Sequence, residues 1–473
     1  MKISFYQGFL AILFSAFFVF FSSYSLSIEK GWVILIPIIF YIFFSLFNID
    51  NLLWFIILLT PLSIPITELG FFFENINFTF PTEFLLFGLL FVLIIQMIFY
   101  SQRFVGVFNH KITYFLCLYL LWMFLSCFTS TDPLISFKLF LTRLWYIIPF
   151  YFFMILLFRE RENIFKFILL YTIPLCCVVI YTLIQQSGDF FDSKIANGAV
   201  HPFFNDHTSY GAILAFFVPS VFIIMCSEKY FRKWNIVLFM IIIILSIGLV
   251  FSYTRAAWIS FIIASCFGLF LKMKLNLKHI ISLSFIFIGF FFMYQDTLIS
   301  NEESSDSFFR HFQSTSNITT DASNMERINR WNCAIKMFNE KPIIGYGPGT
   351  YQFEYAAFQD SGDKTIISTK FGDGGNAHSE YLSALSETGI IGLCIFLLLV
   401  GSVFLKGIKL YYTLSCEESK MFILCSLIAL MTYFIHAFFN NFLDIDKVSI
   451  AVWSFIAIIV SIDLSYKENR IKN

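Results

Sequence analysis

Three arginines and one histidine stand where this chain could do chemistry. Arg255 ends the string Ser252-Tyr-Thr-Arg255 beside an apolar run, Arg327 and Arg330 lie in MERINRWNCAIKMF, and His378 opens HSEYLSALSETGIIGL. An arginine beside hydrocarbon is costly, by about 2.5–3.5 kcal/mol at a helix centre and less near the interface. Such a residue either snorkels to lipid phosphate as an anchor or binds an anion. Its planar fork can hold two oxygens of a diphosphate at once, which a lysine cannot match. Arg327 and Arg330 can equally be solvated charges on a helix. His378 has a side chain whose ordinary pKa near 6.5 suits a general base at neutral pH, or a hydrogen-bonded structural role.

Other polar clusters are weaker. His201 and His207 in HPFFNDH are six apart with no second cluster, so no zinc site is expected. Asp444-Ile-Asp446, near His436 and Asn440, could hold a divalent metal, but such a pair more often solvates a loop. No metal and no cofactor is expected.

The elements that must position these residues are apolar. The chain has 473 residues, 58% hydrophobic and 21% aromatic, with 13% charged. A soluble domain carries roughly 25% charged residues, so an all-α polytopic membrane protein is expected. Net charge is zero and no basic block suggests nucleic acid. Most of the ten cysteines lie inside apolar runs and read as small hydrophobes. Runs long enough to cross about 30 Å of hydrocarbon fall near 6–24, 31–47, 51–67, 82–100, 112–129, 144–158, 164–185, 209–227, 234–251, 255–271, 280–295, 380–405, 420–437 and 447–464. These amount to about twelve to fourteen transmembrane helices, the range allowing 31–47 and 51–67 to be a re-entrant pair. The first run lacks a clear cleavage site and reads as a retained span.

Alternate connections sort by charge. Lys2, Arg103–Lys111, Arg159–Lys166, Glu228–Lys233, Lys272–Lys278, Lys406–Lys420 and Lys467–Lys472 are basic and lie on one side, read as cytoplasmic. The opposite connections include Ser130–Arg143, Ser187–Thr208, Gln295–His378 and His436–Lys447. Arg143, Arg255, Arg327, Arg330, His378 and His436 are thereby gathered on one outer face. Three regions result: N-terminal transmembrane helices over 1–295, an extracytoplasmic loop over 296–378, and C-terminal transmembrane helices with a short cytoplasmic tail over 379–473. A reporter fused after Ser314 is expected outside, and reporters after Lys274 and Lys472 inside. A cytoplasmic signal at Ser314 would invert this topology.

Within the loop, Asn301–Ser323 is rich in Ser, Thr and Asn and reads as irregular. A helix is expected over 325–339, capped by Asn324 or Ser323 and stopped before Pro342. Arg327, Arg330 and Trp331 then share about a third of its circumference. Gly345-Tyr-Gly-Pro-Gly349 forces a tight turn.

At these residues the chain resembles the O-antigen ligase family of bacterial lipid-linked glycan transferases. Arg327, Trp331, Met337, Pro342, Gly345, Gly347 and Gly349 follow the family's order, as do His378, Tyr381, Leu382, Leu385, Glu387, Gly389 and Gly392. Ser379 stands where the family usually has Asn, and Met337 to Pro342 is slightly short. The resemblance implies a GT-C-like fold and an inverting, metal-independent glycosyltransferase of the bacterial inner membrane, with its active site facing the periplasm. Arg255 and Arg327 would hold a diphosphate, and His378 would serve as base. Arg330, Trp331, Tyr381, Glu387, Gly347 and His436 are expected to contact substrate, with Arg330→Ala milder than Arg327→Ala. The donor would be a glycan on undecaprenyl diphosphate. The acceptor would be lipid A-core, the end of another lipid-linked glycan, or a protein hydroxyl. Membrane lipids are the remaining partner. The rival from another class is a transporter of lipid-linked sugars, which would be expected to show repeated halves with polar groups at the midplane. No such repeat is visible.

Overall fold

Ten of the spans predicted from hydropathy recur as helices of membrane length. In the computed structural model, residues 15, 49–69, 79–274, 322–359 and 375–472 are described. The spans expected over 6–24, 31–47 and 280–295, and the irregular segment before residue 322, lie outside these residues. Within them α1 (Ile49–Leu59), α2 (Thr82–Phe99), α3 (Lys111–Phe128), α4 (Pro133–Leu157), α5 (Arg161–Ser187) and α6 (His207–Met225) follow in order. Then come α7 (Glu228–Phe251), α8 (Arg255–Lys272), α9 (Ala322–Glu340), α10 (Glu380–Thr413), α11 (Glu417–His436) and α12 (Asp446–Lys472). Ten of these are long and apolar enough to cross a membrane among the described residues, so the protein is an all-α polytopic membrane protein.

Three expectations are corrected. The run over 51–67 yields only a short helix, Asp50–Leu62. Pro61 sits in its last, tightened turn, and the chain then leaves in a two-residue strand, β1 (Ile64–Pro65), paired antiparallel with β2 (Thr79–Phe80). The connection expected over Ser130–Arg143 is mostly helix. Asp132 caps α4 by accepting from the Ile135 N–H at 3.2 Å, and Pro133 occupies the first turn. Arg143 is therefore a buried helical residue and not a loop residue. Finally, α9 covers Ala322–Glu340, a few residues longer than the expected 325–339.

α12 is apolar all round through VSIAVWSFIAIIVSIDL and almost wholly buried. It packs on α4 and α11. Around it α6 packs on α7, α8 and α11, and α10 packs on α3, α9 and α11. The helices that hold the candidate residues are joined in series: α8 packs on α11, α11 on α10, and α10 on α9.

Candidate active site

α10 is not continuous. Gly389 has φ 68° and ψ −173°, a conformation that breaks the helical ladder and that L side chains rarely adopt. The glycine turn fills the break. Tyr346 N–H donates to Ser386 O at 3.0 Å and Gly347 N–H to Glu387 O at 2.8 Å, while Ile390 N–H donates back to Pro342 O at 2.9 Å. Trp122 Nε1 reaches Thr388 O at 2.9 Å. Carbonyls orphaned by the kink are thereby satisfied from the turn and from α3. Gly347, at φ 112°, lies against Ser130 with no room for a Cβ. It was expected at the substrate, but its N–H is engaged in this joint.

α9 lies along α10 and carries the arginines. Arg330 is 5% exposed and so is not a solvated charge. Its Nε donates to Glu326 at 2.8 Å, its Nη1 donates to Asn376 O at 3.1 Å, and its guanidinium lies 4.8 Å from the Tyr355 ring centre. Tyr351 OH donates to the Arg330 carbonyl at 2.8 Å. This clamp ties α9 to the segment entering α10. Next to it, Trp331 Nε1 donates to the His378 carbonyl at 3.3 Å, and its ring packs on Phe439.

His378 is held from several directions. Its own N–H donates to Asn376 Oδ1 at 3.0 Å, and its backbone has φ 49°, unusual for a residue with a Cβ. Its Nδ1 lies 3.3 Å from Asn440 Oδ1, and Asn440 Nδ2 lies 3.1 Å from His436 Nε2. With the amide so placed, Oδ1 can only accept and Nδ2 can only donate. His378 therefore carries its proton on Nδ1, which leaves a lone pair on Nε2. His436 is wholly buried and abuts the backbone of Ala256, the residue after Arg255. The chain His378–Asn440–His436 thus leads to the N-terminus of α8, where the helix dipole favours an anion.

Arginine charge surrounds this relay. Burial pushes the His378 imidazole down to about 4, and the Arg330 and Arg327 guanidinium groups push in the same direction. The ring is neutral at physiological pH. The field of Arg327 reaches His436 as well. Arg255, half-buried, begins α8 beside Ala256. The fold thus gathers Arg255, Arg327, Arg330, Trp331, His378 and His436. Tyr381 is aimed elsewhere: its hydroxyl donates to Phe434 O at 2.8 Å and its ring packs on Phe438. Glu387 accepts from the Tyr351 N–H at 3.3 Å and faces a cavity of about 380 Å³.

Several residues of this region were not picked out as site residues from the sequence. Asn440 follows His436 by four, a spacing that puts both on one face of a turn, and that was the available signal. Arg143 is paired with Asp444 at 2.9 Å and stands 4.0 Å from Glu380. Glu380 Oε1 accepts from Tyr433 OH and from the N–H groups of Phe442 and Leu443, each at 2.8 Å. Asp446 Oδ2 accepts the hydroxyls of Ser63, Thr79 and Thr82 at 2.6, 3.0 and 2.5 Å. Both aspartates of the D-x-D pair are therefore engaged by protein groups. Among the described residues no group of three or more His, Cys, Asp or Glu could hold a metal ion.

No curated protein matches the chain. A family model described as O-antigen ligase matches residues 240–397. That stretch holds Arg255, Arg327, Arg330, Trp331, Gly347, His378, Tyr381 and Glu387, while Arg143, His436 and Asn440 lie outside it. By this match, residues 240–397, with Arg255, Arg327, Arg330 and His378, are similar to the O-antigen ligase family.

Proposed function

We propose that the protein transfers a glycan from undecaprenyl diphosphate to an acceptor hydroxyl at the periplasmic face of the bacterial inner membrane. The transfer inverts the anomeric centre and needs no metal. The observation that carries this reading is a neutral imidazole, fixed by Asn440 and ringed by arginine charge. The family match over residues 240–397 supports the coarser role in glycan transfer. Lipid A-core is the acceptor favoured here, as for a ligase. The end of a second lipid-linked glycan or a protein hydroxyl would need the same base.

The donor diphosphate sits at Arg255, Arg327 and the N-terminus of α8. As the C1–O bond to the diphosphate breaks, negative charge grows on the departing oxygen. Guanidinium groups already in place stabilise that charge more in the transition state than in the ground state. His378 Nε2 takes the proton of the acceptor hydroxyl while the new C1–O bond forms on the opposite face. Undecaprenyl diphosphate leaves as the anion.

The arginines also give the reaction an order. They weaken His378 as a base until a diphosphate offsets their charge, so donor binding strengthens the base. Acid protonates Nε2 and stops transfer, so activity falls as pH falls. At subsaturating donor the acid limb should lie near 4, the value for the unliganded site, and at saturating donor it should move up by the part the arginines contribute, while the larger part due to burial stays. A limb that stays fixed at both donor concentrations would contradict this coupling.

The test of the reaction uses purified protein and labelled lipid-linked donor. Release of the lipid diphosphate with a new glycoconjugate is expected, and it should survive EDTA. Movement of the donor across the bilayer without bond cleavage would mean transport instead. Chelator sensitivity restored by magnesium or manganese would remove the metal-free mechanism.

A further inference from the structure

The cavity of about 380 Å³ beside the relay has a chemistry of its own. Arg143 is 5% exposed and lines it. Nη2 of Arg143 faces Asp444, but its Nε and Nη1 are buried without a hydrogen-bond partner. Asn441 Oδ1 is also buried and unpartnered, although its Nδ2 donates to Ser383 Oγ at 3.3 Å. Buried donors and acceptors in a folded protein are nearly always satisfied, so these atoms point to a ligand or water. The cavity lies at the small end of the roughly 300–1,000 Å³ usual for ligand sites.

The charge of the walls says what kind of ligand. Asp206, Glu380, Glu387 and Asp444 line the cavity with one arginine among them. Asp444 and Glu380 already compensate the Arg143 charge, so its two remaining N–H donors suit a neutral oxygen better than an anion. Carboxylate and amide oxygens suit hydroxyl or ammonium donors. Tyr351 and Phe442 add apolar surface. Such a mixture fits a sugar ring, and the Asp206 and Asp444 carboxylates repel a phosphate or a uronic acid. Asn376, which accepts the His378 N–H, also lines the cavity, so the base stands at its edge.

Resting on the transfer reading above, we infer that this cavity seats the acceptor sugar that bears the reacting hydroxyl, and that it selects neutral or amino sugars over anionic ones. Arg143 and Asn441 bind the ring oxygens and hydroxyls, and Glu380, Glu387 and Asp444 accept from the remaining hydroxyls. The acidic walls keep the acceptor site distinct from the basic donor site, so neither substrate competes for the other's place.

The test uses the full chain in nanodiscs, with methyl glucoside, methyl glucosaminide and methyl glucuronide as probes, read by saturation-transfer NMR. The first two should bind and the glucuronide should not. Asn441→Ala should weaken binding about tenfold, the scale of one lost hydrogen bond, and Arg143→Gln by at least as much. Asn441→Ala carries the test if Arg143→Gln does not fold. Undecaprenyl diphosphate binding should be unchanged in Asn441→Ala. Glucuronide binding equal to glucoside, absence of any sugar binding, or wild-type sugar affinity in Asn441→Ala would each overturn the inference. Failure of the wild type to bind undecaprenyl diphosphate would instead sink the transfer reading, leaving the sugar result to stand on its own.

Discussion

His378→Ala will lose roughly 10²- to 10⁴-fold in turnover, the usual contribution of a positioned base, while binding undecaprenyl diphosphate nearly as well as the wild type. Among the described residues the side chain removed bonds Asn440, and the bond from Trp331 to the His378 carbonyl survives because it involves the backbone. Arg255→Lys and Arg327→Ala will also lose about 10²- to 10³-fold, as when a preorganised donor to a developing anion is removed. In these two variants the donor affinity will fall too. Lysine keeps the charge but not the fork, so Arg255→Lys is not a rescue. Steady-state kinetics with labelled donor and direct binding of the lipid diphosphate separate the two classes. Donor affinity that collapses in His378→Ala and survives in Arg255→Ala would exchange the assigned roles. Wild-type turnover in both would exclude the site.

Arg330→Ala will unfold the outer loop. The sequence alone suggested a change milder than Arg327→Ala, because an arginine on a loop helix is ordinarily solvated. The structure buries it in an ion pair with Glu326, a bond to Asn376 O and a stack on Tyr355. Removing one partner of a buried pair costs about 3–5 kcal/mol. Arg330→Ala should therefore show a lower thermal midpoint, rapid proteolysis between 340 and 359, and little activity. Arg330→Lys should recover part of the midpoint but not the bond to Asn376. A variant with wild-type melting and wild-type turnover would show that the clamp does not matter.

The two arginines illustrate what the sequence made legible. Hydropathy gives nearly every span, since crossing hydrocarbon demands about twenty apolar residues in a row and leaves little ambiguity. The helix under Arg327 and Trp331 and the turn at Gly345–Gly349 follow from 3.6-residue spacing and glycine content. Burial of Arg330 does not, because its partner Asn376 is 46 residues away. Asn440 meets His378 across 62 residues, and Glu380 meets the N–H groups of Phe442 and Leu443 across similar separations. Arg143 was placed in a connection because PLISFKLFLTR contains two basic residues and reads as a boundary. Its charge is tolerated inside because Asp444 and Glu380 come to it, and a local window cannot see either.

The interruption of α10 at Gly389 has a mechanical meaning for how substrates reach the relay. Three backbone hydrogen bonds splice the turn into the membrane helix. Lifting the turn away would leave those groups unpaired near the hydrocarbon, at about 1–3 kcal/mol for each buried one. The turn is thus a socket welded to its shaft, and it cannot serve as a lid. Any opening that admits a substrate must therefore come from other elements and leave this joint closed.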